Sequence, residues 1–554
     1  MNEKKTIDGN IYSQMIAGGA SVLGTHSGEV DDLNVFPIPD GDTGTNMLQT
    51  IEGGASVDAN EADLSKESNR IAEAMLLNAR GNSGVILSQF FAGIAKGLEG
   101  VSQADVDALV VAFKSGVESA YKSVFKPTEG TILTVMREAT EKAAEAGAAT
   151  PAEFFDLFIK AAEDSLIHTP ELLPVLKKAG VVDSGGAGLI YIIKGMKRAL
   201  DGESFERNQK KQETQQELDL DAFDENSVLE FGYCTELLLR LQNAKCDIEA
   251  FNVNTIIDYL ETIGDSIVAV KNGSIVKIHV HTMTPDKVLC FCQQFGEFLK
   301  LKIENMSLQH NNTTLPNNDD EDDDSIQTHV ESERIPLGIV AVANGEGVKE
   351  AFLEMGANVI VDGGQSMNPS AEDFLKAFDE AHAKKILVFP NNSNIILAAK
   401  QAASLYSKSE VRVVNSKTIG DGYSALSMLD TENGDIDAIL EDCEMAMEGV
   451  VTAEVSKCVR DAEFGGISVK TDDYIGFVGK EILSCNVDRL AAAKETIDKL
   501  DLKSHEIVIL IRGEDSTEEE CAQLEDYIAK SYPRVEAFVI NGGQRVYSYI
   551  IVAE

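Results

Sequence analysis

Two carboxylates, Asp40 and Asp42, sit in the stretch NVFPIPDGDTGTNM (residues 34–47), inside a turn made of Pro37, Pro39, Gly41 and Gly44. Prolines fix the backbone and glycines let it approach a ligand closely, so the two acids are held in place, as in a site for a divalent cation. Three more short glycine-containing elements stand ahead of apolar helical runs: RGNSG (80–84), PTEGT (127–131) and DSGGAG (183–188). Free N–H groups and the dipole at a helix start attract anions, so the set suits phosphate groups. Taken singly, each stretch reads equally as an ordinary helix cap or turn. No G-x-x-x-x-G-K-[ST] loop occurs in the chain, so any phosphates are held without a P-loop.

A second group lies further on. His279 and His281, in KIHVHT, are two apart on an expected strand and so share a face, and Cys234, in FGYCTE, belongs to another strand of the same small unit. These three are either a zinc set or two histidines on a solvated strand face and a buried cysteine. Cys290 and Cys292, two apart on an expected helix, diverge and read as packing residues. The acidic run 319–324 lacks the glycine turn and terminal Glu of an EF-hand loop and reads as an extended linker.

The elements that must position these residues divide the chain. Residues 1–202 show apolar residues at three- and four-residue spacing and are expected to form an all-α domain. Residues 203–227 are polar, Gln-rich and without apolar periodicity, a linker. From 228 to 307 the expected order is strand, helix, strand, strand, helix, strand, a small α+β unit of split βαβ type, with Asn272-Gly273 as its hairpin turn. A second, acidic linker covers 308–334, and from 335 to 554 strands alternate with helices, an α/β domain with a mainly parallel sheet. There VDGGQSMNPS (361–370) and PNNSN (390–394) follow strands and precede helices, the usual place for ligand loops. GDGYSA, from Gly420, fits G-x-G-x-x-A but trails its strand and carries no dinucleotide site.

The chain has 92 acidic against 48 basic residues, a formal net charge of -44, which repels nucleic acid and anionic membrane surfaces. An anionic ligand then needs cations to neutralise it, which points again to Asp40 and Asp42. The eight cysteines form no C-x-x-C pair and read as reduced thiols. With no signal-peptide core and no apolar run near the roughly 20 residues needed to span a bilayer, a cytoplasmic location is expected.

In this order, LNVFPIPDGDTGTNM, NARGNSGVILSQ and DSGGAG resemble the ATP-binding subunit of dihydroxyacetone kinase and, in more detail, the N-terminal domain of bacterial fatty acid kinase. The resemblance covers essentially the whole chain, because that kinase also has a small middle domain and a C-terminal domain related to the DegV fatty-acid-binding proteins. It implies an antiparallel helical barrel with ATP at one end and two Mg2+ ions under the phosphates. Asp40 and Asp42 are then magnesium ligands. Asn34 stands where the dihydroxyacetone kinase domain has a third Asp, an amide oxygen without the charge. Thr43, Thr45 and Asn46 contact phosphate or metal, with Thr43 counted beside the two acids as catalytic. Gly81, Asn82, Ser83 and Gly84 approach the nucleotide, and Gly130, Thr131, Asp183 and Gly185 complete its pocket, unless Asp183 only caps the helix after it. Cys234, His279 and His281 correspond to a metal set in the middle domain, here Zn2+.

The activity so implied is phosphorylation of a fatty acid carboxylate by ATP to give acyl phosphate and ADP. The acid would be presented by a separate carrier of the DegV type docked on the C-terminal domain, and the chain would be a homodimer. The rival readings are a dihydroxyacetone-type kinase of a small hydroxyl substrate, for which no ketone-binding histidine domain is found, and a non-catalytic Mg-ATP-sensing scaffold.

Overall fold

The computed structural model describes residues 5–33, 41–205, 233–305 and 334–554, less short breaks at 58–60, 125, 243–244, 247, 249–250, 261, 273–274, 283, 366, 430–434 and 465–466. Two compact units result: Met1–Lys211 together with Glu331–Glu554, and Gln212–Val330.

The N-terminal region is helical: α1 (Gly9–Asp31), α2 (Thr43–Ala55), α3 (Leu64–Leu77), α4 (Gly81–Gly97), α5 (Val106–Lys122), α6 (Ile132–Glu145), α7 (Pro151–Leu172), α8 (Pro174–Ala179) and α9 (Ser184–Leu200). Helices α1, α3, α5 and α7 start with Asp8, Asp63, Asp105 and Thr150, whose side chains accept from the backbone N–H three residues on. The ring closes where α9 returns onto α1. A Cβ on Gly195 would lie 2.2 Å from the Gly18 carbonyl oxygen, so glycine is what lets the two backbones touch. The interior is apolar and centres on Phe113, whose ring meets Phe90, Phe154, Phe155 and Phe158 edge-on at centroid distances of 5.2–5.7 Å.

The middle unit runs β1 (Tyr233–Leu241), α10 (Asn254–Leu260), β2 (Gly264–Asn272), β3 (Ile275–Thr282), α11 (Pro285–Cys292) and β4 (Gly296–Asn305). This is the order expected of a split βαβ unit, and the sheet order β2-β3-β1-β4 has every neighbour antiparallel. Asn272 pairs with Ile275 across the expected hairpin, whose Gly273 lies outside the described residues. Leu237, Leu239, Val276, Ile278 and Val280 line its core with Ile256, Leu260, Val288 and Cys292. Cys292 is buried and Cys290 exposed, as their divergence on a helix requires.

The C-terminal region has two sheets. The first is wholly parallel, in the order β6-β5-β7-β8, and is built from β5 (Ile335–Ala343), β6 (Val359–Asp362), β7 (Ala383–Phe389) and β8 (Glu410–Val413). Its crossovers are α12 (Glu346–Glu354), α13 (Ala371–Ala381) and α14 (Ile396–Leu405); α15 (Ile419–Ser427) and α16 (Ile436–Met447) follow. The second sheet corrects the expectation of a mainly parallel domain. Its order is β13-β12-β9-β16-β14-β15, from β9 (Val451–Lys457), β12 (Tyr474–Val478), β13 (Glu481–Asn486), β14 (Ile507–Arg512), β15 (Glu536–Ile540) and β16 (Tyr549–Ala553), and only β14 and β15 pair in parallel. The cause is the connections. β12 turns directly into β13 with no helix between, which forces an antiparallel pair, whereas a helix (Glu518–Ser531) carries the chain from β14 to β15. A two-stranded ribbon, β10 (Ala462–Phe464) with β11 (Ile467–Val469), pairs with neither sheet but packs its Val469 against Ile475, Phe477 and Ile482 of the second.

The close approach of α1 and α9 sets a test. Gly195→Ala is expected to lose roughly 1–3 kcal/mol because the helices must part. Gly28→Ala, on the exposed end of α1 where a Cβ meets nothing within 4 Å, is expected to gain ~0.5–1 kcal/mol. Urea midpoints of the two variants moving the same way would refute this account.

Candidate functional site

Each of the four glycine-containing stretches stands at a helix start: DGDTGTN at α2, RGNSG at α4, PTEGT at α6 and DSGGAG at α9. Three of the four differ from the capped helices in one respect. The N-cap residues of α2, α4 and α6, namely Asp42, Arg80 and Thr131, make no side-chain cap hydrogen bond to their own helix. At two of these starts a side chain from elsewhere takes the donors instead: Asp31 at α2 and Asp183, through the Ile132 N–H, at α6.

The first two stretches touch. Gly81 has φ +56°, a left-handed conformation suited to glycine, and a Cβ there would lie 2.5 Å from Asn46 Nδ2. Gly84 faces Thr50 so closely that a Cβ would meet Thr50 Oγ1 at 2.4 Å. Asn46 is buried, Thr45 exposed, and Thr43, Asn82 and Ser83 are half-buried. Asn34 and Asp40 lie outside the described residues.

The other two stretches meet each other. Gly130, with φ +84°, donates to Thr134 Oγ1 at 2.8 Å, and Thr131 Oγ1 donates to the Thr128 carbonyl at 2.7 Å. Glu129 holds this turn by accepting from Thr134 Oγ1 (2.6 Å), Arg137 Nη2 (3.0 Å) and the Tyr121 hydroxyl (3.0 Å). Gly185 packs on Ile132, and the Asp183 N–H donates to Thr169 Oγ1 at 3.1 Å. The Asp183 carboxylate caps α9, accepting from the Gly186 N–H at 2.7 Å. Burial pushes its pKa up to about 6 against the lowering effect of the Gly186 and Ile132 N–H groups. The two halves adjoin one turn inward, where Gly188 lies against the buried Met47 of α2.

Three residues at this site escaped the sequence. Asp31, the last residue of α1, accepts from the Gly44 N–H (2.6 Å), the Thr45 N–H (3.2 Å) and Thr45 Oγ1 (2.8 Å). A carboxylate from the preceding helix thus occupies the start of α2 in place of Asp42. Arg80 reaches the C-terminal region, donating from Nη1 to the Asn368 carbonyl at 2.7 Å, with Nη2 3.6 Å from Asp373. Asn368 in turn donates from its side chain to Asp42 Oδ2. The seam continues with Asn82 donating to Asn394 Oδ1 at 3.1 Å and with Ala79 and Val85 packed among Val340, Val342, Phe374 and Ala398. VDGGQSMNPS and PNNSN, singled out as C-terminal ligand loops, therefore both reach the helical region's glycine turns.

Within the C-terminal region itself, a crevice of about 60 Å³ has a mixed lining that includes Asn344, Gln365, Asn391 and Lys417 beside Val342 and Ile550. That volume suits a few water molecules, not an alkyl chain.

In the middle unit Cys234 stands directly across from His281, and Glu236 across from His279. Positions 279 and 281 alternate with the buried Val276, Ile278 and Val280. The side chains of Cys234, His279 and His281 are outside the described residues, among which no metal-binding group of three or more His, Cys, Asp or Glu occurs. No helix among the described residues is long and apolar enough to cross a membrane.

The raised pKa of Asp183 has a definite sign. Between its ordinary 3.8 and about 6 the folded chain keeps a proton that the unfolded chain has lost. Its contribution to stability is therefore full below about pH 4 and is lost as pH rises through 6. Asp183→Asn keeps an acceptor for Gly186 without the charge, so its melting temperature relative to the native chain is expected to rise from pH 5 to pH 7. A constant difference across that range would refute the assignment.

Three family models match the chain: the DAK2 domain over residues 37–198, the middle domain of the FakA-like fatty acid kinases over 230–313 and the C-terminal domain of the same FakA-like kinases over 338–554. Protein YloV of Bacillus subtilis is 38% identical over 563 residues, covering 99% of this chain and 100% of its own. Uncharacterized protein SERP0792 of Staphylococcus epidermidis is 38% identical over 567 residues, 99% of each chain. Among solved structures, a fatty-acid-binding DegV family protein from Thermus thermophilus matches 39% of this chain and 100% of its own at 15% identity and a TM-score of 0.30. The dihydroxyacetone kinase of C. freundii in complex with AMP-PNP and Mg2+ matches 34% of this chain and 33% of its own at 19% identity and a TM-score of 0.28. With all three domain models in order and full-length relatives above a third identical, the chain belongs to the FakA-like fatty acid kinase family.

Proposed function

We propose that the chain is an ATP-dependent kinase that phosphorylates a fatty acid carboxylate presented by a separate fatty-acid-binding protein of the DegV type, giving acyl phosphate and ADP. The observation that supports this reading is the contact between the start of α2, which carries Asp42, and the glycine-led start of α4, whose N-cap residue makes no side-chain cap. Membership of the family gives it direction.

The donors present fit magnesium. Asp42 offers carboxylate oxygens beside the buried Asn368, the hard oxygen donors that Mg2+ prefers. Asp40, Asp42 and Asn34 would hold the ions. Bound magnesium would neutralise phosphate charge during transfer. The chain's own part is to position: N–H groups at the start of α4 would receive phosphate oxygens, while Gly81, Gly84, Gly130 and Gly185 let backbone approach the nucleotide. Asn82, Ser83, Thr43, Thr45, Asn46 and Thr131 supply polar contacts, and Asp183 shapes the far wall. Thr45 exchanges its Asp31 contact for the ligand in this scheme. A fatty acid carboxylate, with a reference pKa near 4.3 like that of Glu, is already ionised at neutral pH, so no general base is needed. Placement of two anions and charge stabilisation then make up the catalysis.

The C-terminal domain docks the carrier in this reading. The middle domain serves a homodimer contact in this reading and binds Zn2+ through Cys234, His279 and His281, which the direct pairing of positions 234 and 281 supports.

Incubation with labelled ATP, oleate and a DegV-type carrier is expected to give acyl phosphate only when the carrier is present, and Asp42→Ala and Asp40→Ala should each lower the rate by ~100-fold or more. Product from the native chain that survives both substitutions would refute the site; no product from the native chain with a loaded carrier would refute the reaction. For the middle domain, elemental analysis of the purified chain should find zinc, and Cys234→Ser should release it. Zinc retained in that variant would refute the ligand set.

A further inference from the structure

We infer that Asn368, contributed by the C-terminal domain, is a positioning residue of the nucleotide site, holding the Asp42 carboxylate ready for its cation; this rests on the Mg-ATP reading above. The geometry is specific. Asn368 is only 3% exposed, yet it lies at the end of a surface loop between β6 and α13. Its side-chain amide donates to Asp42 Oδ2, and its backbone carbonyl accepts from Arg80 Nη1 at 2.7 Å. Two neighbours on the helical domain, one the residue before RGNSG's first glycine and one in DGDTGTN, are therefore tied to one C-terminal residue.

The loop is itself fixed, which a positioning role requires. Gly363 donates to the Ala343 carbonyl at 3.2 Å, and Gly364 and Met367 exchange backbone hydrogen bonds of 3.0 and 3.3 Å. Immediately after it, Ser370 and Asp373 form a capping box at the start of α13, with Asp373 3.6 Å from Arg80 Nη2. Asn368 is thus held from its own side as well as from the seam.

The remaining group is the Asn368 carboxamide oxygen, buried without a partner among the described residues. A buried acceptor left unsatisfied is costly, and such groups collect where a ligand completes them. Here one face of a carboxamide restrains a candidate magnesium ligand while the other is unmet. A residue that orients a ligating carboxylate is the usual second partner of a metal site. Because Asn368 belongs to the C-terminal domain, displacement of that domain's β6–α13 loop acts directly on Asp42, giving the domain that docks the carrier a physical connection to the nucleotide.

The test is a magnesium titration of the binding of a fluorescent ATP analogue to the full chain, with thermal melting of each variant alongside. Asn368→Ala is expected to raise the magnesium concentration for half-maximal binding by ~10- to 100-fold. Asn368→Asp places a second carboxylate against Asp42, so its deficit should shrink as magnesium rises. Gln401→Ala is the control: Gln401 crosses the same seam, accepting from Gln89 Nε2 at 3.0 Å and donating to the Leu76 carbonyl at 2.5 Å, without touching Asp42. Should Asn368→Ala melt early, the nearly isosteric Asn368→Asp decides. A titration of the deciding variant that matches the native chain, or an equal shift in Gln401→Ala, overturns the inference while leaving the Mg-ATP reading standing. A native chain that binds no nucleotide overturns both.

Discussion

A helix start leaves backbone N–H groups without intrahelical partners, and something must meet them. This requirement organises the helical domain. At α1, α3, α5 and α7 a local Asp or Thr meets it, and those ends are structural. At α4 and α6 no side chain of the N-cap residue does, and at α2 the carboxylate comes from Asp31 on another helix. Glycines surround these same ends. At α6 the Ile132 N–H is met by Asp183, as Asp31 meets α2, so these two ends are served by carboxylates brought from elsewhere in the domain.

The second dependence is on the seam between the helical domain and the parallel C-terminal sheet. Ala79 and Val85 lie in one apolar cluster with Phe374 and Ala377 of α13 and Ala398 and Ala399 of α14, the helices packed over the sheet residues Val340, Val342, Ile386 and Val388. The start of α4 is where RGNSG begins. Packing between these helices therefore also sets where the glycine turn lies, and the polar contacts of Arg80, Asn82 and Gln89 add direction to a contact that apolar burial alone would leave free to slide.

What could be read from the sequence follows the range of the interactions concerned. Helix starts at the four glycine stretches, the split βαβ order and the divergence of Cys290 and Cys292 are local consequences of residue type and period, and each is found in the structure. The mixed second sheet was hidden because strand composition does not reveal whether the next strand pairs directly or after a crossover; the β12–β13 turn is two residues of ordinary loop text. The role of Asp31 was masked by its neighbour Asp32 and by the more conspicuous acids after it. Asn368 was visible only as part of a loop, since nothing local tells an asparagine that its partner lies 326 residues earlier. Asn34 and Asp40, which make the proline-glycine turn conspicuous, fall outside the described residues.

The compact unit that holds the seam is assembled from both ends of the chain, with Gln212–Val330 between them. Translation reads these parts in order. All of α1 to α9 has emerged long before β5, and Asn368 follows Asp42 by 326 residues, an interval on the order of tens of seconds at ordinary elongation rates. Throughout that interval the nascent helical domain presents Ala79 and Val85 to solvent and leaves Arg80 without its C-terminal partners. The Asp42 arrangement seen here is therefore a late product of synthesis, and a ribosome-bound or truncated chain carries the glycine turns before it carries the finished site.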